Sequence, residues 1–199
     1  MIKQTAEKAS KAARRLALAE TETKNKLLEA LASALLDKSG EIVAANQADV
    51  EAAEASGLEP HMIDRLALDE NRIKDLAWSI CQVRALPDPV GEISDAQMMP
   101  NGLLIRRLRI PLGLIAFICE ARPGALVEAG TLCVKTGNGL IVKCGKEMAK
   151  TAEAMQKVFA QAFEALKPPA EPVPVLPPPD PEDLRERRIL SAITALVLP

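Results

Sequence analysis

The sequence predicts an α/β fold: a helical N-terminal region, then a parallel sheet with flanking helices. Three observations carry this reading. Apolar residues recur every three or four positions through most of the first ~85 residues, the period of amphipathic helices. Two short runs further on, LIAFIC (114–119) and LIVKC (140–144), are apolar almost throughout, as in strands covered on both faces of a parallel sheet. A helix-length segment joins them, which makes a βαβ unit.

The elements follow in order. From Thr5 to about Leu36 the chain is rich in Ala, Leu, Lys and Glu and free of Pro and Gly, so it forms one long amphipathic helix or two. Residues 42–55 repeat the pattern until Gly57 and Pro60 break it, and Asp69 opens a further helix over 72–85. LPDPVGE is turn chemistry. After Pro100-Asn101-Gly102 the run LLIRRLRI alternates imperfectly and reads as a strand with one solvated face. Pro111-Leu112-Gly113 punctuates it before the first aliphatic strand. A helix over 124–135, the turn at 136–139 and the second aliphatic strand complete the unit, and a helix over 147–166 follows. Eight prolines between Pro168 and Pro181 then favour polyproline II or an irregular loop, with at most one short strand over 173–176. Residues 183–193 can be helical, and ALVLP can be a final strand. The expected divisions are residues 1–86, 87–166, 167–182 and 183–199.

Composition narrows the function classes. The 199 residues suffice for a core without staples, and with three Phe, one Trp and no Tyr that core is aliphatic. A net charge of -2 asks for neither nucleic acid nor an anionic membrane. Cys81, Cys119, Cys133 and Cys144 lack CxxC spacing and clustered histidines, which argues against structural zinc. No leader-like apolar stretch opens the chain and no run approaches the ~18 apolar residues of a membrane span, so a reducing cytoplasm is the expected home.

The βαβ unit is where an anionic ligand fits, because open α/β sheets bind ligands beyond the carboxyl ends of their strands. The loops there read Glu120-Ala121-Arg122-Pro123-Gly124 and Lys143-Cys144-Gly145-Lys146-Glu147, without a GxGxxG arrangement. Arg122 suits a phosphate, and equally an ion pair with Glu120 or Glu128. His61, the lone histidine, stands in a helix-start context far along the chain from these loops and is read as uninvolved.

Residues 64–92, 100–124 (PNGLLIRRLRIPLGLIAFICEARPG) and 133–147 (CVKTGNGLIVKCGKE) resemble, in order and with little gapping, consecutive signature stretches of the γ-glutamyl phosphate reductases, a branch of the aldehyde dehydrogenase superfamily. The likeness runs over roughly residues 6–165. It implies a Rossmann-like cofactor domain and NADPH-dependent reduction of γ-glutamyl phosphate to glutamate 5-semialdehyde in proline biosynthesis, by a cytoplasmic oligomer. Where the superfamily reads KPSE, its Lys and Glu hold the adenosine ribose. Lys143, Gly145, Lys146 and Glu147 stand at those positions, and the cationic pair favours the 2′-phosphate of NADP; without the resemblance they are ordinary solvated loop residues. Asn138, with Gly137, matches the turn into the second cofactor strand, where Asn can take a left-handed backbone. Arg106, Arg107 and Arg109 resemble the edge strand that joins subunits, or else mark an exposed strand that positive charge keeps from aggregating.

The resemblance also implies a thiolate that attacks the acyl phosphate, on a motif that none of the four cysteines matches. The chain is therefore expected to supply the cofactor-binding half and to be inactive alone, acting as a homo-oligomer or with a catalytic half. The alternative is an inactive paralogue that binds or scaffolds a full-length reductase. Cys119, Gly124 and Cys144 depart from the family's usual residues, and the proline-dense segment replaces a compact loop and strand.

Overall fold

The computed structural model describes residues 2–164 and 175–176. The periodic N-terminal segment forms two helices, α1 (Ile2–Leu16) and α2 (Thr21–Asp37), followed by α3 (Ser39–Ala55), α4 (Pro60–Leu66) and α5 (Glu70–Ala85). Proline at the first position of α4 costs no hydrogen bond, and Asp69 caps α5 by accepting from the Arg72 amide at 2.7 Å. The α1–α2 break at residues 17–20 contains neither Gly nor Pro. Tertiary packing selects it: Ala9, Ala13 and Leu16 are buried on one helix, while Leu27, Leu28, Leu31 and Leu35 are buried on the next.

The expected strand after the Pro-Asn-Gly turn is β2 (Leu104–Leu108), and it pairs antiparallel with β1 (Ile93–Met98), which the sequence did not announce. A bulge between Ser94 and Gln97 places Asp95 at φ 52°, and Arg107 reaches its carboxylate at 3.1 Å. The expectation of one covered face on this strand is corrected. Every residue of β2 is exposed, those on both of its faces alike.

The βαβ unit forms as expected from β3 (Leu114–Cys119), α6 (Pro123–Lys135) and β4 (Gly139–Cys144). The strands run parallel in unbroken register from Leu114↔Gly139 to Cys119↔Cys144. A 3-10 turn at Lys146–Met148 leads into α7 (Ala149–Glu164), and β5 (Val175–Leu176) adds a third parallel strand beside β4. The expected terminal helix and strand over 183–199 and most of the proline-rich segment lie outside the described residues.

One core joins α2, α5, α6 and α7 to one face of the sheet, through Leu140, Val142 and Cys119 among others. On the opposite face Ile141 and Leu114 pack with Ala9 of α1. A Cβ on Gly139 would lie 2.6 Å from that of Ala13, so glycine lets α1 sit close on the strand. Full burial of both aliphatic strands is a second correction. Ile118 is 53% exposed, because it shares Leu114's face and α1 covers only the amino-terminal end of that face. Among the described residues no helix is long and apolar enough to cross a membrane.

Candidate functional site

The parallel register sets the site. The Gly145 amide donates to the Cys119 carbonyl at 2.9 Å, closing the ladder one residue past the strands, and beyond it the two chains part. One turns into α6 through Arg122, whose amide donates to the Glu120 carbonyl at 2.7 Å; the other enters the 3-10 turn before α7. Between them opens a pocket of about 450 Å³, lined by Met62, residues 118–121 and residues 143–147. It lies beyond the carboxyl ends of the strands, where an open α/β sheet takes its ligands.

Four of the residues expected at the site meet there. Lys143 is half-buried, Lys146 exposed and Glu147 half-buried, and none has an ion-pair partner among the described residues. Two ammonium groups and a carboxylate therefore face one pocket uncommitted. Gly145 has an ordinary extended backbone, φ -65° and ψ 157°, so its role is spatial. A Cβ there would come 2.5 Å from Glu147 Oε2, which means the carboxylate folds back over the glycine.

The other two do not join them. Asn138 stands at the amino end of β4, about 20 Å of extended strand from Gly145. Its Oδ1 accepts from the Gly113 amide at 2.8 Å and its Nδ2 donates to Thr136 Oγ1 at 2.8 Å, so it stitches the turn. The left-handed residue of that turn is Gly137, φ 72°, and Asn138 is not left-handed. Arg122 is exposed at the start of α6 beside the pocket without lining it, and it pairs with neither Glu120 nor Glu128.

Three features escaped sequence reasoning. Met62 closes the pocket from α4, one residue from His61, so that helix is near the loops in space though far along the chain. A second hollow of about 500 Å³, lined by Asp49, Ser56 and Leu58 among others, shares Lys146 and Glu147 with the first. Asp49 and Asn46 are buried and bonded to the start of α7. Nothing local in the sequence links residues 101 or more positions apart.

Burial pushes the Cys144 thiol up to about 12 and the Cys133 thiol up to about 11. Cys119 is also raised by burial, against the opposing effect of the Arg122 backbone and its positive charge, and its Sγ donates to the Arg122 carbonyl at 3.2 Å. These three thiols stay protonated near neutrality, the opposite of an activated nucleophile. No three His, Cys, Asp or Glu residues gather as a metal site among the described residues.

No protein-family model matches the chain. It is 40% identical over its full length to the γ-glutamyl phosphate reductase of Meiothermus ruber, of which it spans 48%. Among solved structures, the γ-glutamyl phosphate reductase of Thermotoga maritima superposes with a TM-score of 0.84 at 31% identity, over 96% of this chain and 45% of that one. A probable aldehyde dehydrogenase from Listeria monocytogenes shares the fold, with a TM-score of 0.68 at 14% identity over 90% of this chain and 37% of that one. The chain thus spans about half the length of the curated relatives it matches. By sequence and by fold, then, it is related to the γ-glutamyl phosphate reductases and carries the aldehyde dehydrogenase fold.

Proposed function

We propose that this chain contributes the nucleotide-binding part of a cytoplasmic NADPH-dependent reductase that converts γ-glutamyl phosphate to glutamate 5-semialdehyde. The observation that carries the reading is the meeting of Lys143, Lys146 and Glu147, all without ion-pair partners among the described residues, over Gly145 at the carboxyl ends of two in-register parallel strands. The pocket fits part of a dinucleotide. Its volume lies within the range of ~300–1,000 Å³ usual for small-molecule sites, and Met62, Ile118 and Ala121 give apolar surface for a base. Glu147 would accept from ribose hydroxyls, while Lys143 and Lys146 would neutralise phosphate, including a 2′-phosphate. Arg122, just outside the pocket, would meet a second phosphate. A bound reduced nicotinamide supplies the hydride; the residues named here bind and orient.

The thiol that such a reduction uses is assigned to none of Cys119, Cys133 and Cys144, because burial keeps each of them protonated. That same observation favours a second reading, in which the chain binds nucleotide, or a full-length reductase, without turnover of its own. Fluorescence titration of the full chain with NADPH and NADH tests the shared element. Saturable binding is expected, tighter for NADPH, and Lys143→Ala should weaken NADPH about tenfold while changing NADH less. A parent chain that saturates with neither nucleotide overturns the reading. Measurable turnover by the chain alone, abolished by Cys119→Ala or Cys144→Ala, would overturn the assignment of the thiol.

A further inference from the structure

The turn that carries Lys146 and Glu147 is held from outside the pocket. The helical stretch after Gly145 has no side-chain cap of its own, since position 145 is a glycine over which the Glu147 carboxylate folds. Its amides are met instead from α3, about a hundred residues earlier. Asp49 Oδ2 accepts from the Thr151 amide at 2.7 Å and from Thr151 Oγ1 at 2.7 Å, and Asp49 Oδ1 accepts from the Lys150 amide at 3.3 Å. A carboxylate there also complements the positive end of the α7 dipole.

One turn earlier on α3, Asn46 holds the opposite wall. Its Nδ2 donates to the Leu66 carbonyl at 2.9 Å and to Thr151 Oγ1 at 3.2 Å, and its Oδ1 accepts from the Leu68 amide at 2.6 Å. The Leu66 carbonyl ends α4, the helix that brings Met62 to the pocket. Asn46 is 1% exposed and Asp49 5%, so these bonds are sheltered from bulk water, and Thr151 both accepts from Asn46 and donates to Asp49. The two walls, α4 on one side and residues 145–147 on the other, are thereby referred to a single face of α3.

The geometry points to Asp49 as a positioning residue for the nucleotide pocket, acting with Asn46 through Thr151 to set Glu147 against Met62. This inference rests on the nucleotide reading above, and its test separates the two. Asp49→Ala, Glu147→Ala and the double variant are made in the full chain and titrated with NADPH. Each single change is expected to weaken binding about tenfold, and the double variant to bind no worse than Glu147→Ala alone, because a misplaced Glu147 and a missing one cost the same contact. Additive losses would overturn positioning and leave Asp49 a purely structural cap. Thr151→Val, which removes only the hydroxyl link, takes the place of Asp49→Ala if that chain fails to fold. A nucleotide-free measurement stands beside the titration: amide hydrogen exchange should accelerate across 145–151 in Asp49→Ala while α5 and α6 keep the parent's protection. Unchanged exchange at 145–151 would overturn the inference even if the parent chain binds no nucleotide.

Discussion

Lys24 is 1% exposed, and a charge so far from water must be answered nearby. Asp88 answers it, with Oδ2 2.5 Å from Lys24 Nζ and 2.8 Å from Thr21 Oγ1, while Oδ1 accepts from the Val90 amide at 3.0 Å. Burial alone would raise the Asp88 carboxyl, but the bonds from Lys24, Val90 and Thr21 outweigh it and hold the group below the usual carboxylate range. The sign of the pH effect follows. The unfolded chain takes up this proton first, near pH ~3.9, so the contribution to stability is present above that value and fades as pH falls through the lower native one. Asp88→Ala leaves the Lys24 ammonium buried without its partner, and a loss of about 3 kcal/mol in denaturant unfolding at pH 7 is expected. Adding Lys24→Met should restore most of it. A loss below about 1 kcal/mol would mean that Lys24 finds water once Asp88 is gone.

Two glycines in helices should respond oppositely to the same change. Gly130 of α6 faces α7, where an added Cβ would stand 2.6 Å from Phe159 Cε1 and 2.9 Å from Cζ. That ring is buried and packs edge-on against Phe163, with centroids 6.1 Å apart, so it has little room to yield. Gly130→Ala is therefore expected to cost about 1–3 kcal/mol, despite a gain in helix propensity of about 1 kcal/mol. Gly40 of α3 has nothing within 4 Å, and Gly40→Ala should stabilise by about 0.5 kcal/mol. Shifts of the thermal midpoint in one direction for both would contradict this packing. The two sites also mark what sequence alone can convey about these elements. The helical period, the Asp69 cap and the aliphatic runs of β3 and β4 are local signals, and each produced its element in the expected place. β1 had no such signal, because Ser94, Asp95 and Gln97 are polar and no face of that strand is apolar. The cluster of Lys143, Lys146 and Glu147 follows from strand polarity, which one resemblance sufficed to orient. The supports at Asn46, Asp49 and Met62 depend on how α3 and α4 dock, and docking leaves no mark on neighbouring residues in the chain.

At the scale of the whole molecule the ribbon is a part that the described residues leave uncovered. Ile93, Met98, Leu104, Ile105 and Leu108 are exposed on it, and Ile110 and Leu112 continue the apolar surface toward β3. Two strands alone hold little stability in water, and an unpaired edge is a template for another strand. Charge tempers the edge without closing it: Arg107 pairs with Asp95 and Arg109 with Glu92 at 2.9 Å, so part of the basic stripe is neutralised within the ribbon. An apolar surface of this kind is the mark of an interface, and the expectation that the basic strand joins subunits can be tested on it. Sedimentation of the parent chain should show a species larger than the monomer. Ile105→Glu combined with Leu108→Glu should shift it to monomer while leaving NADPH binding intact, since the pocket lies at the carboxyl ends of β3 and β4 and includes no ribbon residue. Double-variant chains that sediment as the parent does would place the contact elsewhere, and a monomeric parent would leave the ribbon to a different polypeptide.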